Sequence, residues 1–497
     1  MAHTDTGEPA VASPPKSTSR RALVPVLASC GTSVSLMNTL PIPMLPHLPD
    51  LLGTSATSAS WVVTATLLAA AVCTPISGRL GDMYGKRRVT LCCLSLMVGG
   101  SLLCSVADSV TVLVIGRALQ GCAAGILPLG LSIMRDVVPP ERLGRALALM
   151  SSSVGLGGAA GFPLSALMTQ HLDWHAVYWT ATALSLANLL LVRLVVPASP
   201  KAPGGKFDLP GALGLTVVLT LLLLGISRGA EWGWASLTTV GAFCAAAVTA
   251  CAWALHQLRC PAPLVDLRAS AGRPLLTTNA ASLLVGFSMF AMSMILPQLL
   301  QLPRATGYGS GLSMVGAGLC LAPAGVVMML FSPLSARSCA RWGATSTLAA
   351  GAAVIGFGYA AGVPLRGGVW GIGLVSVVIG MGLALVFAAM PVLIVASVPP
   401  DHTAAANGLN TLMRSIGMTV SSAVMTEILV NATHTATAAP GTAPVPSALG
   451  FRIAFAAAAL AAAAAVGLAA THPDRRSGTS RGAPPPRGAA ARGPRGR

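Results

Sequence analysis

Acidic residues are scarce in this chain, 14 against 31 basic ones in 497 residues, and residues of either charge make up only 9% of it. A soluble protein of this length carries about a quarter charged residues, so a soluble globular fold is excluded. The eleven cysteines never form Cys-x-x-Cys; Cys30, Cys73, Cys104, Cys244 and Cys320 lie inside apolar runs, and Cys92 and Cys93 are adjacent. They read as small packing residues rather than as metal ligands or a disulfide framework, and the eight histidines show no ligand spacing. No Gly-x-x-x-x-Gly-Lys-Ser/Thr loop occurs, which argues against an ATP-driven pump. Acids in the connections are isolated (Asp50, Asp108, Asp173, Asp401). A membrane-embedded enzyme acting on lipid-linked substrates needs clustered acids, histidines or Ser/His pairs. Neither a catalytic site, a metal nor a cofactor is expected. Residues 1–21 are polar and do not read as a cleavable signal.

What the chain has in abundance is apolar sequence, 54% of all residues. A transmembrane helix needs about 20 consecutive apolar residues, and stretches of that order recur along the whole length. A transmembrane barrel would show short alternating segments instead. The class is an all-α polytopic membrane protein. Charged and Pro/Gly-rich breaks predict fourteen spans, near 22–49, 60–77, 89–107, 110–133, 146–168, 176–196, 209–227, 234–256, 274–301, 309–333, 343–362, 369–397, 404–430 and 452–471.

The basic residues test that count. With the N-terminus inside, 25 of the 31 fall on the inside, Arg228, Arg304, Arg366 and Arg452 fall outside, and Arg117 and Arg414 lie within spans. An odd span count would carry the arginine-rich tail outside and spoil this asymmetry. Both termini are therefore expected in the cytoplasm. The formal charge of +17 reads as topology setting and contact with anionic headgroups, not as nucleic-acid binding. Residues 1–20 and 473–497 are expected to be disordered tails. Between them the predicted units are a six-helix bundle over 21–197, a linker with two extra spans over 198–260, and a second six-helix bundle over 261–472.

The most informative segment is the charged insert Gly78-Arg79-Leu80-Gly81-Asp82-Met83-Tyr84-Gly85-Lys86-Arg87-Arg88. It must turn between two spans at a membrane surface. It resembles the loop signature of the major facilitator superfamily, Gly-x-Leu-Ala/Gly-Asp-x-x-Gly-Arg/Lys-Arg/Lys. Ala336-Arg337-Ser338-Cys339-Ala340-Arg341-Trp342-Gly343 is a degenerate second copy, with Ala340 in place of Asp82. Two copies suggest two repeated bundles, with spans 7 and 8 inserted between them.

The resemblance extends from about residue 22 to 471, and the fourteen spans resemble the drug:proton antiporter branch of that superfamily. Leu40-Pro41-Ile42-Pro43-Met44-Leu45-Pro46 is similar to its proline-rich end of helix 1. Phe207-Asp208-Leu209-Pro210-Gly211 and Glu231-Trp232-Gly233-Trp234 are similar to its inserted pair. Arg117-Ala118-Leu119-Gln120-Gly121 matches the helix-4 arginine motif, which implies a part in proton coupling. From the residues alone, Arg117 either serves that role or braces the bundle by bonding helix carbonyls, and Gln120 shares its face. Gly155-Leu156-Gly157-Gly158-Ala159-Ala160-Gly161-Phe162-Pro163 resembles the antiporter motif of helix 5, associated with export. It departs from it in carrying Gly158 where the family has a proline, with Pro163 further on. An ordinary small-residue packing face gives the same pattern.

Gate contacts are expected from Gly78, Asp82, Gly85, Lys86, Arg87 and Arg88. Asp82 would accept from a helix N-terminus or a base, and Asp136 would pair with Arg87 or Arg88. Many relatives carry an acid in helix 1; here Asn38 is present instead. Glu427, toward the outer end of span 13, is either a protonation site or a headgroup residue, and Arg414 lies about 20 Å from it along the same helix. Asn38, Gln120, Asn279, Gln298 and Met289 are candidate cavity residues, and the Met-rich stretches give either an adaptable wall or core packing. A cavity so poor in acids favours a neutral, zwitterionic or anionic amphiphile. The resemblance implies a monomeric, proton-driven multidrug or antibiotic exporter of the cell inner membrane, powered by the proton gradient. An uptake permease of the same fold is the alternative.

Overall fold

In a computed structural model, residues 17–471 are described except 42–43, 45–47, 55, 199–206, 262, 266, 271, 365–367, 400–401 and 435–444. The expected disordered tails fall outside the described residues, save that Ser17 to Arg20 already belong to the first helix.

Fourteen helical rods make up the described chain. They are α1 (Ser17–Thr39), α2 (Ala56–Tyr84), α3 (Lys86–Ser105), α4 (Val110–Val137, crossed by a 3-10 turn at Ala123–Gly125), α5 (Pro140–His171), α6 (His175–Val195), α7 (Leu209–Trp232) and α8 (Leu237–Arg259). After them come α9 (Arg273–Gln301), α10 (Met314–Leu330 with Ser332–Trp342), α11 (Ala344–Gly362), α12 (Gly368–Ser397), α13 (Thr403–Asn431) and α14 (Ala448–Ala470). Twelve single helices are long and apolar enough to cross a bilayer, and the two pieces of α10, bent by 44°, make a thirteenth. α13 has the length, 29 residues, but Asn407, Asn410, Arg414 and Glu427 dilute its apolar character.

Serine or aspartate side chains cap the rods where the chain re-enters. Ser109, Asp208, Ser236, Ser313 and Ser447 each accept a backbone N–H of the first turn of α4, α7, α8, α10 and α14, which satisfies one of the donors a helix start leaves unpaired. Two expectations shift. The first span stops at Thr39, because the prolines from Pro41 onward cannot continue a helix, and a short helix, Leu48–Leu52, follows. The charged insert is almost wholly helical: α2 runs to Tyr84 and α3 starts at Lys86, so the turn is the single residue Gly85, at φ 100°. Only glycine takes that backbone without strain. Gly343, at φ 88°, makes the same turn between α10 and α11. A two-residue ribbon, β1 (Thr433–His434) with β2 (Val445–Pro446), closes the base of the connection before α14, a small addition to an all-helical expectation.

The two bundles repeat one packing scheme. α1 packs on α5 as α9 packs on α13, and α3 packs on α6 as α11 packs on α14. The α3/α4 crossing brings Gly100 against the Gly116 carbonyl, and the α11/α12 crossing brings Gly351 against the Gly382 carbonyl. Lipid gives helices no hydrophobic reason to associate, so close van der Waals approach of small residues holds such crossings together. Each bundle has its own apolar core, one around Leu27, Met97 and Tyr178, the other around Ile355, Tyr359 and Phe455. The inserted helix α7 lies along the seam where α2 meets α13, with Leu215, Leu219 and Leu223 against Ala71 and Leu412. α8 packs on α7.

Candidate functional site

The face on which the described chain ends and the α2–α3, α4–α5 and α10–α11 turns emerge is rich in Arg and Lys; we call it the basic face. There the two bundles are locked together. Gly78 of α2 sits so close to α13 that a Cβ would lie 2.7 Å from the Ala404 carbonyl oxygen. Four residues on, the buried Asp82 accepts from the Ala405 N–H at 3.1 Å. That N–H is one of the free donors of the first turn of α13, where the helix dipole also favours a negative charge. Asp136 pairs with Lys86 at 2.7 Å, not with Arg87 or Arg88; Arg87 donates instead to the Arg193 carbonyl oxygen at 2.5 Å. The reason is reach: Lys86 opens α3 beside the end of α4, and the next residue already faces α6. Arg135, beside Asp136, crosses the seam, donating to the Val398 carbonyl at 3.1 Å and to the Thr403 hydroxyl. Its role was not singled out from sequence. Its signal there is a base next to the Asp136 acid at the end of a span.

Arg117 is 1% exposed and held by α1, α2 and its own helix. It donates to the Met37 carbonyl at 2.7 Å, to the Val62 carbonyl at 3.2 Å and to Gln120 Oε1 at 2.6 Å. Gln120 in turn donates to Ser101 at 2.8 Å. The guanidinium thus ties α1, α2 and α4 together, while Gln120 reaches α3. Neither residue lines the cavity described next.

Between the bundles lies a cavity of about 230 Å³. Its lining from α1 runs from Gly31 to Thr39 and from α9 from Met289 to Pro297, in each case toward the face opposite the basic one. Val154, Gly155 and Gly158 of α5 and Thr411, Arg414 and Ser415 of α13 line its middle. The cavity therefore reaches from mid-bundle toward the opposite face, while the gate closes the basic face. Asn38 and Met289 line it. Gln120 and Asn279 do not: Asn279 is buried and accepts from Asn410 at 3.1 Å, holding α9 to α13. Gln298 is exposed on the outside of the bundle. Met292, Met294, Met328 and Met418 join Met289 in the wall, a flexible apolar lining that adapts to ligand shape.

The α5 glycines serve two contacts. Gly157 and Gly161 let α5 press against Thr32 and Thr39 of α1, and Gly155 takes Met328 of α10 across the second inter-bundle seam. Pro163 is buried within the helix. Glu427 is half-buried near the far end of α13, outside the cavity lining. Asp208, His256 and Cys260 bring their potential ligand atoms within 4.8 Å of one another. The Asp208 oxygens are already taken by N–H groups, Oδ1 by Gly211 at 2.8 Å and His256 at 2.9 Å, Oδ2 by Gln257 at 2.9 Å and Leu264 at 3.3 Å. This cluster is the fastening of the inserted hairpin.

A family model described as Major Facilitator Superfamily matches residues 27–422. The chain belongs to that superfamily. Membership makes it a transporter. Among curated relatives, the tetracenomycin C resistance and export protein of Streptomyces glaucescens is 28% identical over 79% of this chain and 72% of its own length. Multidrug resistance protein 3 of Bacillus subtilis is 26% identical over 75% of this chain and 72% of its own. Two solved structures share the fold: the human organic anion transporter MFSD10, with a TM-score of 0.63 at 16% identity over 92% of this chain and all of its own, and the proton:xylose symporter XylE, with 0.60 at 13% over 90% and 95%. In a facilitator fold the bundle interface is where substrate binds, and the cavity here occupies that interface.

Proposed function

We propose that this facilitator is an exporter of small amphiphilic molecules, driven by exchange for protons and working by alternating access. One observation carries this reading: a cavity between the bundles extends from mid-bundle toward the face opposite the basic one, while Asp82 and Arg135 bridge the bundles at the basic face. By the positive-inside rule the basic face is cytoplasmic, so the state is outward-facing. The relatives whose names speak of resistance and export support the direction, and the Met-rich wall supports an apolar substrate. The protein works as a monomer in the cell membrane, with both ends in the cytoplasm and without a cofactor. Glu427 is the coupling carboxylate in this reading, an acid on the outward half of α13 and away from the gate.

The test is uptake of N-phenyl-1-naphthylamine into inverted membrane vesicles, with a pH gradient imposed and then collapsed, for wild type and Glu427→Gln. Gradient-dependent accumulation that the variant loses is the expected result. Accumulation that ignores the gradient would refute proton coupling. Undiminished accumulation in the variant would remove Glu427 from it.

A further inference from the structure

Among the described residues that line it, the cavity holds one charged side chain. Among its lining residues the polar groups are otherwise neutral, such as Ser35, Asn38, Ser293 and Thr411, and no Asp, Glu, His or Lys is present. That one charge is Arg414. Its backbone is pressed against Gly286 at the α9/α13 crossing, so the position of the residue is fixed by helix packing. Its guanidinium carbon lies 5.0 Å from the centre of the Phe387 ring, a cation–π contact that holds one face of the group. The group carries five N–H donors. Among the described residues no hydrogen bond or ion pair engages them. Arg117 is the contrast, since it donates to the Met37 and Val62 carbonyls and to Gln120.

We infer that Arg414 is the recognition site for the acid group of the substrate, and that the cavity selects monoanionic amphiphiles. This rests on the reading of the cavity as the transport site. A guanidinium inside a span is unfavourable until it meets a counter-charge or water. One carboxylate, sulfonate or phenolate neutralises it, and the first two accept a forked pair of hydrogen bonds from it. A second negative charge would find no partner in the lining. A cation would meet like charge with no acid to offset it. The aromatic or aliphatic body of the ligand then rests on Met289, Met328 and Met418.

The test uses two probes with one ring system. 8-Anilinonaphthalene-1-sulfonate carries one sulfonate that N-phenyl-1-naphthylamine lacks. Saturable fluorescent binding of each is measured on purified full-length protein in nanodiscs, for wild type, Arg414→Gln, Arg414→Lys and, as a control, Arg142→Gln at the basic face. Wild type and the control should bind the sulfonate about tenfold or more tightly than the neutral probe, as a charge-assisted pair allows. Arg414→Gln should erase that preference and leave the neutral probe within about twofold. Arg414→Lys keeps the charge without the fork and should retain part of it, which separates charge recognition from a folding defect. Equal weakening of both probes, no preference in wild type, or stronger displacement by tetraphenylphosphonium than by naphthalenesulfonate would each overturn the inference. The vesicle assay keeps the two readings apart. Gradient-driven movement of the neutral probe without sulfonate preference sinks the anion site and leaves export standing. Sulfonate preference in binding, with neither probe moved by the gradient, does the reverse.

Discussion

Replacing Asp82 by Asn should open the basic face. In the closed gate the Asp82 carboxylate is 7% exposed and meets the α13 N-terminus through the Ala405 N–H at 3.1 Å. Asparagine keeps an acceptor but removes the charge, and with it the charge-assisted part of that bond and the attraction to the helix end. Together these amount to about 1–2 kcal/mol. Asp82 Oδ1 is buried without a hydrogen-bond partner, so the amide nitrogen of Asn in its place adds to the effect in the same direction. When the gate opens, water hydrates the carboxylate more strongly than the amide, which returns part of that loss; what remains falls on the closed state, and the ratio of closed to open should drop by up to about fivefold. Spin labels at Tyr84→Cys and His402→Cys, both exposed on the basic face, report the separation of α2 from the start of α13. The background is a variant lacking the exposed Cys92, Cys244 and Cys251. Wild type should give one short distance, and Asp82→Asn should gain a longer population. An unchanged distance distribution would refute the gate as described.

Two further outcomes follow from other buried polar contacts. Arg117→Lys leaves a charge in place but cannot span the Met37 and Val62 carbonyls and Gln120 together. Thermal unfolding should show a loss of about 2–4 kcal/mol, and a stable variant that fails only in transport would assign Arg117 to coupling instead. At Asp208, burial opposes the charge, but hydrogen bonds from His256, Gly211, Leu264 and Gln257 outweigh it and hold the carboxyl below its ordinary range. A depressed carboxyl stabilises the fold above the unfolded value, about 3.9, and loses that contribution as pH falls through the folded value. Asp208→Ala should lower stability by about 1–3 kcal/mol at neutral pH, and the gap to wild type should shrink below about pH 4. A gap independent of pH would remove the charge from the explanation.

Much of this arrangement was legible in the sequence because a bilayer leaves little choice. Long uncharged runs must be helices, and the bias of basic residues points to an even number of crossings. The second loop copy at Ala336–Gly343 was readable through Gly343, which the structure places in the same left-handed turn as Gly85. Other features need the third dimension. Nothing in the spacing tells which of Lys86, Arg87 and Arg88 meets Asp136, since that depends on how α3 is rotated against α4. Asn279 and Asn38 look alike as polar residues in apolar helices, yet one faces Asn410 across a tight crossing and the other faces the cavity. Arg117 and Arg414 are equally improbable in a span. The structure separates them: Arg117 donates to the Met37 and Val62 carbonyls, whereas Arg414 lies in the cavity wall beside the Phe387 ring.

The departure of the second loop from the first bears on how the molecule moves. The bundles meet along two seams, α2 with α13 and α5 with α10. In the first, Asp82 adds a charged contact to the close approach of Gly78 and Ala404. In the second, Ala340 stands where Asp82 stands, and Ala336, the counterpart of Gly78, packs against Ala148 and Ala388. The contact is apolar on both sides. A hydrogen-bonded carboxylate at a helix end can be exchanged for water when a seam parts, whereas an alanine contact has only packing to lose. The α2/α13 seam is thus the one that carries a polar contact at the basic face. It is also the seam that α7 covers, with a leucine row against both α2 and α13. A seam that opens inside a bilayer exposes polar gate residues to lipid unless something shields it. The inserted hairpin, fastened at its base by Asp208 and clasped at its far end by Arg228 over Trp61, supplies that shield where the charged gate requires it.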